Sequence, residues 1–176
     1  MKKIYILLMH TNTIPSKLVR LFTRYPYSHV GISLNKECTE IYSFGRKNVN
    51  NIIGGGFSIE KKTGDFFNKF NKTTCRIFET TINDKQYKNL TNKLYDMKKN
   101  IEKYKYDYLG IIPRFFGIPI TIRDHYVCSY FIASLLEETK IYNFEKNTCM
   151  VIPKDFENLD GFNEIYQGIY MHYDYK

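Results

Sequence analysis

Tryptophan is absent from this chain of 176 residues, whose aromatic character comes from 16 tyrosines and 13 phenylalanines. Cysteine is sparse and dispersed. Cys38, Cys75, Cys128 and Cys149 form no C-x-x-C and sit at no metal-ligand spacing from a histidine, which argues against a structural zinc and gives no sign of an oxidising compartment. Gly54-Gly55-Gly56 fits neither a dinucleotide fingerprint nor a P-loop. No cofactor and no metal is therefore expected, and glycine there supplies positive φ or a close backbone approach. No apolar run reaches the length needed to span a bilayer. The opening stretch, Met1 to His10, has a short apolar core but no small-residue cleavage site. It reads as a buried first strand, and the expectation is a cytoplasmic protein. Internal repeats and low-complexity linkers are also lacking.

What is present is a hydrophobic fraction of 43% and a formal net charge of +8. The first is enough for a sizeable core, and the length fits a single domain over residues 1–176. The second admits nucleic acid, anionic lipid or an acidic polymer as a partner. The lysines are scattered, however, and Lys, Asn, Ile and Tyr all have A/T-rich codons, so base composition of the genome is the alternative source of the charge. With no nucleic-acid motif, no specific nucleic-acid partner is expected; peripheral contact with an anionic membrane stays open.

Taken in order, Ile4–Met9 reads as a central strand. Thr13 and Pro15 open a short amphipathic helix through Leu18, Val19, Leu21 and Phe22. Ser28–Leu34 alternates as a half-buried strand, with His29, Gly31 and Ser33 on one face. A turn at Asn35–Cys38 leads into a second strand, Thr39–Phe44, making a β-hairpin. Gly45–Glu60 reads as a loop and Thr74–Thr81 as a strand. Asn83 and Gln86 have the spacing of a capping box, followed by Tyr87, Leu90, Leu94, Met97 and Ile101 on one helical face. Tyr104–Arg123 is irregular and very apolar for a loop. It either flanks a cleft for a lipid-like or aromatic ligand or packs beneath the helix that follows. That helix opens at Cys128 and buries Phe131, Ile132, Leu135 and Leu136. A turn of helix near Phe156 and Leu159 and a strand over Ile165–Tyr173 close the chain. The pattern is α+β, an antiparallel sheet or partial barrel packed against helices.

Cys128 is the candidate nucleophile. A thiol in the first turn of a helix meets unpaired N–H groups and the positive end of the dipole, both of which favour the thiolate. Such a thiol needs a base, and the base needs an orienting group. Of the four histidines, His10 ends a strand, His125 precedes the helix on a turn, and His172 lies near the C-terminus. His29 alone sits inside a core strand.

Tyr27-Ser28-His29-Val30-Gly31-Ile32-Ser33, then Ile41-Tyr42-Ser43-Phe44-Gly45-Arg46, and later Tyr126-Val127-Cys128-Ser129-Tyr130-Phe131-Ile132-Ala133 resemble the circularly permuted NlpC-type branch of the papain-like superfamily. The YiiX-like proteins and the relatives of lecithin retinol acyltransferase belong to that branch. In ordinary papain-like enzymes the cysteine helix precedes the histidine strand; in the permuted branch the strand comes first, as here. The resemblance implies a nucleophile at Cys128, a base at His29, and a third polar residue on the strand after the histidine, where family members more often carry His or Glu. Hairpin arithmetic sets Glu40 roughly 13 Å along the strand from His29 and favours Ser43 or Tyr42. The backbone N–H of Cys128, with a hydroxyl from Tyr106 or Tyr126, would hold the oxyanion. The expected activity is hydrolysis or acyl transfer on a small-molecule, peptide or lipid-like acyl substrate. The competing readings are a non-catalytic module of the same fold that binds a lipid-like or other small ligand, and a basic protein that docks on nucleic acid or anionic membrane.

Overall fold

A computed structural model describes residues 1–11, 20, 24–46 and 54–175. The helix expected around Leu18, Val19, Leu21 and Phe22 lies outside the described residues, as does the 47–53 part of the expected Asn/Gly loop. The fold is mixed α+β. Among the described residues the strands are β1 (Lys2–His10), β2 (His29–Ser33), β3 (Glu40–Arg46), β4 (Gly55–Lys61), β5 (Thr74–Ile82), β6 (Lys105–Tyr106), β7 (His125–Tyr126) and β8 (Asn163–Ile169). The α-helices among them are α1 (Asp65–Lys69), α2 (Asp84–Lys99), α3 (Tyr108–Phe115) and α4 (Cys128–Glu138). The strands hydrogen-bond in the order β7-β6-β4-β3-β2-β1-β5-β8. No helix among the described residues is long and apolar enough to cross a membrane.

The chain divides into two compact units, one of Met1–Lys2, Tyr42–Ser58 and Ile82–Val151, the other of Lys3–Ile41, Ile59–Thr81 and Ile152–Lys176. In the second unit β1 is buried from Ile4 through Met9, as its unbroken apolar run requires. It pairs antiparallel with β2, Tyr5 opposite Ser33 and Met9 opposite His29. The Ser28 N–H extends the ladder by donating to the Met9 carbonyl at 3.0 Å. Strand β2 is buried on both faces (Val30, Gly31, Ile32 and Ser33), with only His29 partly open, so it is more enclosed than its alternation implies. Leu7, Met9, Ile41, Phe67, Ile77 and Tyr170 form the centre of this unit's core, with Cys38 and Cys75 among them.

In the first unit the capping box forms as its spacing predicts. The Gln86 N–H donates to the Asn83 side chain at 2.9 Å, and the Asn83 N–H donates to the Gln86 side chain at 3.0 Å. Helix α2 then buries Leu90, Leu94 and Met97. Helix α4 buries Phe131, Ile132, Ala133, Leu135 and Leu136. Phe131 closes an aromatic cluster, its ring 4.9 Å from Phe44 and 5.7 Å from Phe57.

Three expectations need correction. The stretch read as a loop from Gly45 to Glu60 contains strand β4. Its period-two signal, Phe57 and Ile59 against Ser58 and Glu60, is obscured by the glycines before it. A Cβ on Gly55 would lie 2.7 Å from Tyr106 Cβ and 2.7 Å from the Tyr108 hydroxyl, so that glycine serves close approach. The segment read as irregular from Tyr104 to Arg123 contains α3, with Pro113 inside it. Asp107 caps this helix, its side chain accepting from the Gly110 N–H at 2.9 Å. Nor is the sheet wholly antiparallel: β6 and β7 are parallel, Lys105 opposite His125 and Tyr106 opposite Tyr126. The connection between them carries a helix, and a helical crossover returns the chain in the same direction.

Candidate active site

The second unit supplies an imidazole and a carboxylate. His29 opens β2, and its Nε2 lies 3.6 Å from Oε1 of Glu60 on β4, with the two side chains 15% and 7% exposed. Strand β3 runs between β2 and β4. Neighbouring strands lie about 4.8 Å apart, so the two backbones stand roughly 10 Å from each other and only long side chains bridge that gap. A carboxylate beside an imidazole fixes the ring's orientation and favours the imidazolium that forms when the ring takes a proton. Sequence reasoning misses Glu60 because its strand reads as a loop and because hairpin arithmetic reaches only the adjacent strand. The alternation Phe57-Ser58-Ile59-Glu60, which puts an acid on a strand face, is the available signal.

Glu40, also in the second unit, faces Lys61 at 3.9 Å on partly exposed surface. It therefore engages a surface cation. Among the other histidines, His10 Nε2 accepts from Arg20 at 2.9 Å, and His125 Nδ1 lies 2.8 Å from the Arg123 carbonyl.

The first unit contains Cys128. Cys128 is the first residue of α4 and is 5% exposed. Val127 at the N-cap makes no side-chain capping hydrogen bond, so capping leaves the first-turn N–H groups to other acceptors. Ser129 anchors this turn, its hydroxyl donating to the Val151 carbonyl at 2.6 Å. Tyr106 sits near enough that charge on Cys128 acts on its phenol. Burial pushes the Tyr106 pKa well above 10.0, Cys128, Tyr108 and Asp107 add to the rise, and Arg114 opposes it. The phenol therefore keeps its proton at neutral pH and is a hydrogen-bond donor.

The remaining candidates also lie in the first unit. Tyr126 packs on Tyr130 with ring centroids 4.8 Å apart and lines a cavity of about 180 Å³ with Lys93, Tyr104, Phe131 and Ser134. Ser43 is fully buried in β3, and its carbonyl accepts from the Ser58 hydroxyl at 3.5 Å. The Tyr42 ring stacks on Phe57 with centroids 6.4 Å apart. The structure thus groups His29 with Glu60 and Cys128 with Tyr106. Tyr126, Ser43 and Tyr42 lie in the first unit, Tyr126 at a cavity wall and Tyr42 against Phe57.

No protein-family model matches the chain, and no curated protein matches it in sequence.

Proposed function

We propose that this protein is a thiol hydrolase or acyltransferase of the permuted NlpC-type, papain-like class, acting on an amide or an ester. Cys128 is the nucleophile, His29 the general base, and Glu60 the residue that orients the base. The observation that carries this reading is the largely enclosed His29–Glu60 pair at 3.6 Å. The resemblance implies a His or Glu as third residue, and Glu60 supplies the carboxylate from a strand further along the chain.

In this reading His29 takes the thiol proton and the sulfur attacks the acyl carbon. The Cys128 backbone N–H and the protonated Tyr106 phenol stabilise the oxyanion. The C–N or C–O bond then breaks, and His29 returns its proton to the departing nitrogen or oxygen. Water, or a second nucleophile in the transferase, attacks the thioester with His29 again as base and regenerates the thiol.

The test is alkylation by iodoacetamide near neutral pH, with each cysteine followed by peptide mass spectrometry. Cys128 is expected to react before Cys38, Cys75 and Cys149, and His29→Ala to slow it by at least about a hundredfold, the low side of base catalysis. Equal rates with and without His29 would sink the proposal. The second reading, a ligand-binding module of the same fold, draws on the 5% exposure of Cys128. It predicts a Cys128 no faster than the other three thiols.

A further inference from the structure

The segment between β6 and β7 displays apolar side chains instead of burying them. Leu109 is 78% exposed and Phe116 79%, and Ile112, Ile118 and Ile120 are exposed with them. These residues fall within one excursion of the chain, and from Tyr108 to Arg123 there is no acidic residue. A soluble surface rarely concentrates large apolar side chains in this way without a partner for them.

The display is held rigidly. Asp107 is buried at the foot of the excursion and pairs with Arg114 of α3. Arg114 in turn donates to the Ile120 carbonyl through Nε at 3.1 Å and Nη2 at 2.8 Å, which ties the returning limb to the helix. Gly117 makes the reversal at φ +77°, with open space where a Cβ would stand. A flexible apolar loop would collapse onto the nearest core; this one is braced with its apolar side chains outward.

The foot of the excursion is basic. Lys105 is exposed on β6 opposite His125, and Arg123 is exposed where the segment returns. Lys103, at 3.3 Å, and Arg123, at 3.8 Å, both reach Asp124, so two cations share one carboxylate. An acid-free apolar tip above a cationic foot, on a chain of net charge +8, matches a bilayer whose headgroups are anionic and whose interior is hydrocarbon.

We propose that the 108–122 segment inserts into the surface of an anionic phospholipid membrane, with Lys105 and Arg123 against the headgroups. This goes beyond the thiol chemistry and stands independently of it.

Sedimentation with phosphatidylcholine vesicles containing about 30 mol% phosphatidylserine tests it, against phosphatidylcholine alone. The intact protein is expected to sediment with the anionic vesicles and to be released by salt. The Leu109→Ser/Ile112→Ser/Phe116→Ser variant, altered only at exposed positions, should bind at least about tenfold more weakly with its melting temperature kept. Lys105→Glu/Arg123→Glu should lose the preference for anionic lipid. Because the chain has no tryptophan, Phe116→Trp gives a single reporter, whose emission should shift to the blue on vesicle binding and be quenched by brominated lipid. A protein left in the supernatant, a serine variant that binds as well as the parent, or an unshifted emission from the Phe116→Trp variant would each overturn the proposal. So would self-association of the parent that the serine variant abolishes, since the patch would then belong to a second copy. Alkylation of Cys128 in these variants reads the thiol proposal separately: it should be unchanged whichever way the vesicle result falls.

Discussion

Two acid–base pairs, one buried and one with a partly open histidine, lie in different units of this protein, and they are built differently. In Asp107–Arg114 both carboxylate oxygens accept a hydrogen bond, one from the Gly110 N–H and the other from the guanidinium, and the guanidinium is further tied to the Ile120 carbonyl. These contacts tie the start of α3 to the limb that returns after it, so the pair holds structure. In His29–Glu60 the separation is 3.6 Å, longer than a direct hydrogen bond. One member is the side chain whose ordinary pKa falls nearest neutrality. The first pair is a brace. The second brings an imidazole and a carboxylate together, the two groups that the proposed base and its orienting residue require.

The sharpest way to break that contrast is to remove a carboxylate from each. Asp107→Ala leaves Arg114 buried without its counter-charge and also uncaps α3. A loss of about 3–5 kcal/mol of stability is expected by chemical denaturation, partly recovered by Arg114→Met, which removes the stranded charge. A stability change under about 1 kcal/mol would show that the pair does not brace the fold. Glu60→Gln keeps the size and a hydrogen-bonding oxygen. Its alkylation rate at Cys128 should fall by roughly 10- to 100-fold, the range for a lost orienting partner, with stability lowered by no more than about 1 kcal/mol. The rate–pH profile should also move to lower pH, because a neighbouring anion raises the pKa of an imidazole. An unshifted profile would leave Glu60 with a packing role only.

The sequence exposes the parts of this arrangement that depend on near neighbours. The apolar run of β1, the Asn83/Gln86 capping box and the start of α4 at Cys128 are each written within a few consecutive residues, and each is found where its pattern predicts. What stays hidden is either non-local or masked by punctuation. Glu60 meets His29 across an intervening strand, a relation that no hairpin count reaches. Strand β4 begins with Gly55 and Gly56, and α3 contains Gly110 and Pro113, residues that ordinarily end elements. Tertiary pairing and the Asp107 cap override them. The exposure of the 108–122 segment is equally beyond reach, since its composition suits burial and only the Asp107–Arg114 brace explains its display.

Burial pushes Cys38 and Cys75 from 9.0 up to about 12, and it pushes Tyr170 and Tyr173 of the same core upward as well. Below about pH 9 these thiols are protonated whether the chain is folded or unfolded, and they make no difference to stability. Between 9.0 and about 12 the unfolded chain releases protons that the folded core retains, so stability falls as pH rises. The melting temperature should therefore decline steadily across that window, and in the native protein at pH 9 iodoacetamide should spare Cys38 and Cys75. Prompt alkylation of either would mean that the core around Tyr170 opens more readily than its packing indicates.

The smallest effect belongs to the carboxylate that hairpin arithmetic sets aside. Glu40 is on the strand directly after the histidine strand and is chemically as good an orienter as Glu60, yet it faces Lys61 at 3.9 Å. Exposed pairs of this kind contribute little, because water screens both charges and ordering two long side chains costs entropy. Glu40→Gln should change stability by less than about 0.5 kcal/mol and leave both the rate and the pH profile of Cys128 alkylation where they were. Set beside Glu60→Gln, it varies the position of the lost carboxylate while holding its chemistry constant. If Glu40→Gln slowed the thiol and Glu60→Gln did not, the base would take its orientation from the hairpin, and the distinction drawn between the two pairs would lose its catalytic meaning.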